Sequence, residues 1–149
     1  MISDHPAAKE HEGTVLVAED DPDVRALIET VLDANGYRSI SATEGNEALK
    51  LFLEPNHAFS VVLTDLQLPG LNGLQLLREI RKKDPNIAVV IASGRIEDGT
   101  VDELKALDVT AFLDKPFTIT QLLSTMTLVS SRREVLSLQG ELRGVQRSL

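Results

Sequence analysis

The chain has 149 residues, 15 basic against 23 acidic side chains, a formal net charge of -8 and no cysteine. Such a length suits one domain with an appendage, able to bury about 68–70% of the surface its unfolded chain exposes, and 42% hydrophobic residues with only 3% aromatic ones call for an aliphatic core. The lack of cysteine excludes a disulfide framework, a thiolate zinc site, an iron–sulfur cluster and a cysteine nucleophile, and the acidic balance argues against reading nucleic acid through a broad basic surface.

Short β-branched apolar runs alternate along the chain with longer helical patterns. Residues 1–13 carry Asp4, Lys9, Glu10 and Glu12 without an apolar run, so they read as a flexible tail and not as a secretory signal. Thr14 to Ala18 is the first expected strand. In the helix that follows, Asp21 can cap, Pro22 suits the first position and Gly36 lies just beyond the end. Val24, Leu27, Ile28, Val31 and Leu32 keep the spacing of one buried helical face. A second strand over Tyr37 to Ala42 leads to a helix over 45–53, and a third over Ser60 to Thr64 to a helix over 72–83. Strands over Ile87 to Ala92 and Val109 to Leu113 precede helices opened by Thr100 with Glu103 and by Thr118 with Gln121, both capping-box pairs.

Near-continuous apolar strands alternating with helices predict an α/β domain over residues 14–130: a doubly wound parallel sheet of five strands, buried on both faces, with five helices and right-handed crossovers. No apolar stretch approaches the ~20 residues that span a bilayer, so no membrane contact is expected and a cytoplasmic location is. His5, His11 and His57 fall in the tail or a loop and read as surface residues.

In sheets of this kind chemistry collects beyond the carboxyl ends of the strands. Glu19, Asp20 and Asp21 follow the first strand, Asp65 the third, Ser93 the fourth, and Lys115 with Pro116 the fifth. Any one acidic residue before a helix is explained by capping and the helix dipole, and Asp21 is read that way. Glu19 and Asp20 converging with Asp65 would repel one another without a cation. Oxygen ligands with neither histidine nor cysteine suggest magnesium. Beside that ion Asp65 becomes a carboxylate nucleophile able to form an acyl phosphate, with Lys115 a compact charge for the phosphoryl oxygens. Ser93 adds a hydroxyl donor, and Gly94 leaves room for backbone approach.

The segments V15-L-V-A-E-D-D-P-D, V61-V-L-T-D-L-Q-L-P-G-L-N-G, V89-V-I-A-S-G and A111-F-L-D-K-P-F occur in that order at the ends of strands one, three, four and five. Together they resemble the receiver domain of two-component response regulators. The resemblance implies strand order 2-1-3-4-5. It implies that Asp65 accepts a phosphoryl group from a histidine kinase or histidine phosphotransfer protein, that Glu19, Asp20, Asp65 and the Gln67 backbone carbonyl hold Mg2+, and that Ser93 and Lys115 contact the phosphoryl oxygens. It further implies that Phe112 repacks when Ser93 moves, that the Lys115–Pro116 peptide is cis, and that Gln67 and Arg95 tune the acyl-phosphate lifetime. Glu19 stands where aspartate is also common, which changes reach and keeps the charge; Phe112 stands where tyrosine is frequent, which keeps the aromatic ring and loses the hydroxyl.

Beyond the fifth helix, Val135, Leu138, Leu142, Val145 and Leu149 fall at spacings of three, four, three and four, the heptad pattern of a helix seam. Residues 131–149 therefore read as a helical extension. It would pair two chains as a homodimer, dock on another protein, or fold back on its own domain or fray, with Gly140 and Gly144 weakening the helix. From Thr118 onward four arginines and two glutamates give +2, leaving -10 for the remainder. So short an extension does not make an output domain, and any output is expected to run through a downstream protein. The leading reading is a stand-alone phosphorylatable receiver that assists its own phosphorylation. A constitutively interacting module with vestigial phosphorylation is the alternative, and a magnesium-dependent aspartyl-phosphate hydrolase a further one, disfavoured because Asp65 follows the third strand and not the first.

Overall fold

The computed structural model describes residues 13–130, and the tail expected over 1–12 and the helical extension expected over 131–149 lie outside the described residues. Nine elements alternate as β1 (Thr14–Ala18), α1 (Pro22–Ala34), β2 (Arg38–Ala42), α2 (Gly45–Leu53), β3 (Phe59–Asp65), α3 (Gly73–Lys83), β4 (Ala88–Ser93), α4 (Asp98–Ala106) and β5 (Ala111–Asp114), and a fifth helix, α5, covers 119–130. The five strands form one parallel sheet in the order β2-β1-β3-β4-β5. Reversal of the winding direction at β1 puts a crevice over the ends of β1 and β3.

Strand side chains alternate between the two faces with period two. Val15 and Val17 of β1, Val61 and Leu63 of β3, Val90 and Ala92 of β4 and Leu113 of β5 point to one face. There Ile28, Val31 and Leu32 of α1 and Leu122, Met126 and Val129 of α5 cover them. The intervening Leu16, Ala18, Val62, Val89 and Ile91 point the other way, against Ala48 of α2, Leu76, Leu77 and Ile80 of α3 and Leu104 of α4. Because both faces are covered, the central strands read as unbroken apolar runs.

Helix ends follow from side-chain chemistry. Asp21 caps α1, its Oδ1 accepting from the N–H groups of Asp23 at 2.9 Å and Val24 at 3.3 Å. Asn72 and Gln75 form a reciprocal capping box on α3, and Thr118 and Gln121 form the expected one on α5. Helix α4 differs: it starts at Asp98, two residues before Thr100, with Glu97 as an N-cap that makes no side-chain bond. Acidic charge at Asp98 in the first turn takes the place of the capping box by meeting the helix dipole.

Leu27, assigned by periodicity to a buried stripe, lies at its margin with 38% exposure, and Ile119 of α5, three residues before the buried Leu122 and so on the same helical period, is 52% exposed. The fifth strand begins at Ala111 and not Val109, because Val89 N–H is taken by the Thr110 hydroxyl at 3.0 Å ahead of the regular ladder. His57 is half-buried, its Nε2 3.0 Å from the Glu54 carboxylate and its ring against Phe59, so it is no free surface residue.

Arg81 ties the far end of the sheet together. Its guanidinium donates to the carbonyls of Leu107 (2.7 Å), Asp84 (3.2 Å), Ile87 (2.7 Å) and Asp108 (3.0 Å), linking the end of α3 to the entry of β4 and the exit of α4. Asp108, just past α4, has φ of 57°, a left-handed conformation that ends the helix. Charge-assisted bonds contribute about 1.5–3 kcal/mol each at most and share one side chain here. Arg81→Ala is therefore expected to destabilise the domain by about 2 kcal/mol, measured as a lowered urea midpoint with unchanged slope.

Candidate functional site: an acidic pocket with one lysine

Four strand ends bring the site together. Glu19 leaves β1 with its backbone N–H still in the ladder, donating to Ala42 O at 3.0 Å. Its carboxylate is buried, 2% exposed, while Asp20 beside it faces solvent. Asp65 is the last residue of β3 and Ser93 the last of β4, both buried. Sheet register pairs Asp65 with Ala92, one residue before Ser93, and Ser93 with Asp114, one residue before Lys115. The Lys115–Pro116 peptide is cis, as the resemblance implied.

The carboxylates of Glu19, Asp20 and Asp65 each offer an oxygen within 4.8 Å of the others. Lys115 bridges two of them, its Nζ donating to Asp65 Oδ2 at 2.8 Å and to Glu19 Oε1 in a short ion pair. Far from being a solvated surface lysine, it is largely covered, with 22% of its side chain exposed. Burial pushes the Glu19 carboxyl above the usual carboxylate range, with the negative charge of Asp65 adding to it, against the ion pair with Lys115 and a bond from the Asp21 N–H. For Lys115 burial acts to lower the pKa, but Asp65 and Glu19 together outweigh it, so the ammonium is held above the ordinary lysine value. The pocket thus holds a fixed cation among its anions.

Backbone anchors set the Asp65 carboxylate. Gln67 N–H donates to Oδ1 at 3.1 Å, leaving Oδ2 to Lys115. Thr64 Oγ1 donates to the Asp65 carbonyl at 2.8 Å. The loop after β3 is pressed against two helix starts: a Cβ on Gly73 would stand 2.2 Å from the Asp65 carbonyl oxygen, and one on Gly45 1.7 Å from that of Leu71. Glycine permits this backbone-to-backbone contact.

The donor set suits Mg2+. Three hard carboxylate oxygens, free of histidine and cysteine, are what this ion selects. Octahedral coordination at about 2.0–2.1 Å sets neighbouring ligand oxygens about 3 Å apart; the three here lie within 4.8 Å of one another, so they would draw together around the ion.

Among the expected site residues, Glu19, Asp20, Asp65 and Lys115 are brought together, and Ser93 stands on the neighbouring strand end. Phe112 lies on β5 with 38% exposure. The side chains of Gln67 and Arg95 are exposed, each two residues past a strand end. Thr64, Arg25, which donates to the Glu19 carbonyl, and Gly73 were not singled out by the sequence. Their roles are contacts with backbone atoms of residues already chosen, and such contacts leave no periodic pattern.

The family model described as "Response regulator receiver domain" matches residues 15–127. Over 113 residues the chain is 37% identical to the sensor kinase CckA of Brucella abortus, covering 76% of this chain and 12% of that one. It is 29% identical over 108 residues to sporulation initiation phosphotransferase F of Bacillus subtilis, covering 72% of this chain and 86% of that one. The chain spans 12%, 49% and 42% of the first three curated relatives it matches. Among solved structures, a response regulator receiver domain protein from Clostridium thermocellum superposes with a TM-score of 0.76 at 28% identity, covering 83% of this chain and 98% of that chain.

Proposed function

Because this chain belongs to the response regulator receiver family, we propose that it takes a phosphoryl group onto Asp65 from a phosphohistidine donor, a histidine kinase or histidine phosphotransfer protein, in two-component signalling. One observation carries the reading: three carboxylates converge at the ends of β1 and β3 with a lysine held among them.

Glu19, Asp20, Asp65 and the Gln67 carbonyl would hold Mg2+. That ion supplies charge neutralisation for the oxygens of the transferring group. The Asp65 carboxylate, oriented by the Gln67 N–H, attacks phosphorus; the new O–P bond forms as the P–N bond to the donor imidazole breaks, and the imidazole, protonated on its other ring nitrogen, leaves neutral with the electron pair of that bond. Lys115 already reaches Asp65 Oδ2 and turns its donors to the phosphoryl oxygens. The Ser93 hydroxyl closes on the same group from β4. Its movement frees space for Phe112 to repack, shifting the population of conformations on the face made by α4, β5 and α5 and with it the affinity for a downstream protein. Gln67 and Arg95 stand where they govern access of water to the acyl phosphate, hence its lifetime. The chain acts as a phosphoacceptor that assists its own phosphorylation and dephosphorylation.

The Asp65–Lys115 pair counts against constitutive binding with vestigial phosphorylation. The position of Asp65 on β3 counts against the hydrolase reading. No helix of the described residues is long and apolar enough to cross a membrane, and we place the protein's action in the cytoplasm. Homodimerisation through 131–149 lies outside the described residues.

Incubation with acetyl phosphate and Mg2+, followed by intact mass, is expected to show a gain of one phosphoryl group that EDTA prevents. Folded protein that gains no mass at saturating Mg2+ would favour the constitutive module instead.

A further inference from the structure

Arg25 stands where helix electrostatics argue against a cation. It is the fourth residue of α1, close to the unpaired N–H groups that carry partial positive charge and favour anions such as the neighbouring Asp23. Its own N–H donates to Asp21 O at 2.9 Å. The guanidinium then turns back over the helix start, and Nη1 donates to the Glu19 carbonyl at 3.0 Å. Its other contact, Nε to Glu29 at 3.8 Å, is a loose pair with a half-exposed partner, a type that contributes little. A cation set against the helix dipole, with its close side-chain contact on the carbonyl beside the acidic pocket, breaks a local rule in a way that points to that contact as what the position serves.

The Glu19 carbonyl belongs to the peptide that carries Asp20. Glu19 is tethered at its N–H by Ala42 and at its carboxylate by Asp21 N–H and Lys115, and Arg25 adds the tether on the carbonyl side. Together these hold the plane of the Glu19–Asp20 peptide, and with it the direction in which Asp20 leaves the backbone. Asp20 is the exposed member of the three carboxylates, so its placement depends on that peptide more than on packing. We propose that Arg25 is a positioning residue of the acidic pocket: by holding the Glu19 carbonyl it presents Asp20 for a divalent cation without touching the cation. This rests on the metal reading given under the proposed function.

The sign of the effect separates positioning from bulk electrostatics. A guanidinium near an acidic pocket repels an incoming cation, so removing a bystander charge would tighten Mg2+ binding. Removing a positioning residue weakens it, and partners one shell out from a metal typically contribute about 10–100-fold in affinity.

The test is isothermal titration of the full chain with MgCl2, each variant first shown folded by circular dichroism in EDTA. Arg25→Ala is expected to bind Mg2+ about tenfold or more weakly. Arg25→Met, which keeps the aliphatic stem and loses every donor, carries the same expectation and decides the matter should the alanine variant not fold. Arg25→Lys is expected to fall between, since one ammonium reaches the carbonyl without the planar fork. Glu29→Gln, which removes the loose pair and leaves the carbonyl bond, is expected to bind as wild type. Unchanged or tighter binding by the folded alanine or methionine variant, or equal weakening by Glu29→Gln, would overturn the inference alone. Wild-type protein that takes up no Mg2+ would overturn the metal reading with it.

Discussion

Asp65→Asn is expected to remain folded and to gain no phosphoryl group from acetyl phosphate and Mg2+ under conditions that phosphorylate the wild type. The amide has the shape of the carboxylate, and its oxygen can still accept from the Gln67 N–H that bonds Oδ1. It lacks the anionic oxygen that must attack phosphorus, and a neutral amide is no substitute nucleophile at any pH that keeps the domain folded. The loss is therefore complete and not graded. A second effect runs through the lysine. Lys115 gives up its bond at 2.8 Å to Asp65 Oδ2 and keeps only Glu19, so the pocket loses one of its three carboxylates. Weaker Mg2+ uptake by titration should accompany the lost mass shift. A folded asparagine variant that still gained a phosphoryl group would place the phosphoacceptor elsewhere.

Gly73→Ala is expected to be the most damaging of the conservative changes around the pocket. The added carbon would sit 2.2 Å from the Asp65 carbonyl oxygen and 2.7 Å from the Leu66 Cα. Both are backbone atoms at the end of β3, so no side chain can rotate away. Helix α3 would have to retreat by roughly 1 Å to reach ordinary contact, stretching the bond from Gly73 N–H to Leu66 O, now 2.8 Å. Leu76, Leu77 and Ile80, all fully buried, would be drawn out of register with the sheet. Overpacking costs typically 1–3 kcal/mol, and with the damaged hydrogen bond and displaced core we expect about 3 kcal/mol or more, measured by denaturant unfolding. Gly94→Ala is the matched control: its added carbon meets nothing within 4 Å, and a change within about 0.5 kcal/mol is expected. Equal stability for the two variants would refute the steric account.

Much of this architecture is legible from residue order. Helix α2 falls on 45–53 as the periodicity places it, and Asp21, Pro22 and the Thr118–Gln121 pair act as their chemistry predicts. The acidic cluster also follows from sequence, because parallel strands bring their carboxyl ends to one edge whatever the side chains between them. The departures share a cause. Leu27 and Ile119 satisfy a helical period and still lie at the rim, because a period gives a direction and not the width of the neighbour that covers it. Thr100 and Glu103 have the spacing of a capping box, yet the helix starts earlier, where backbone geometry after β4 allows it. Arg25, Thr64 and Arg81 donate to carbonyl groups, and every residue has a carbonyl. Nothing in a string of side chains announces which of them will be chosen.

The sheet that separates the two apolar cores also isolates them mechanically. From Val15 and Val61 onward, odd-numbered positions of β1 and β3 serve the α1 and α5 side and even-numbered ones the α2, α3 and α4 side, Phe59 ahead of the register shift packing with the latter, and no strand side chain is shared. A cavity cut beneath α5 leaves the packing beneath α3 untouched, so truncations on opposite sides should sum while neighbours on one side interact. Two patches of protein surface can therefore diverge, each fitted to its own partner, without either compromising the other's foundation. What remains common to both is the strand backbone and the row of polar groups at its carboxyl edge, which is where a single chemical event would be felt on either side.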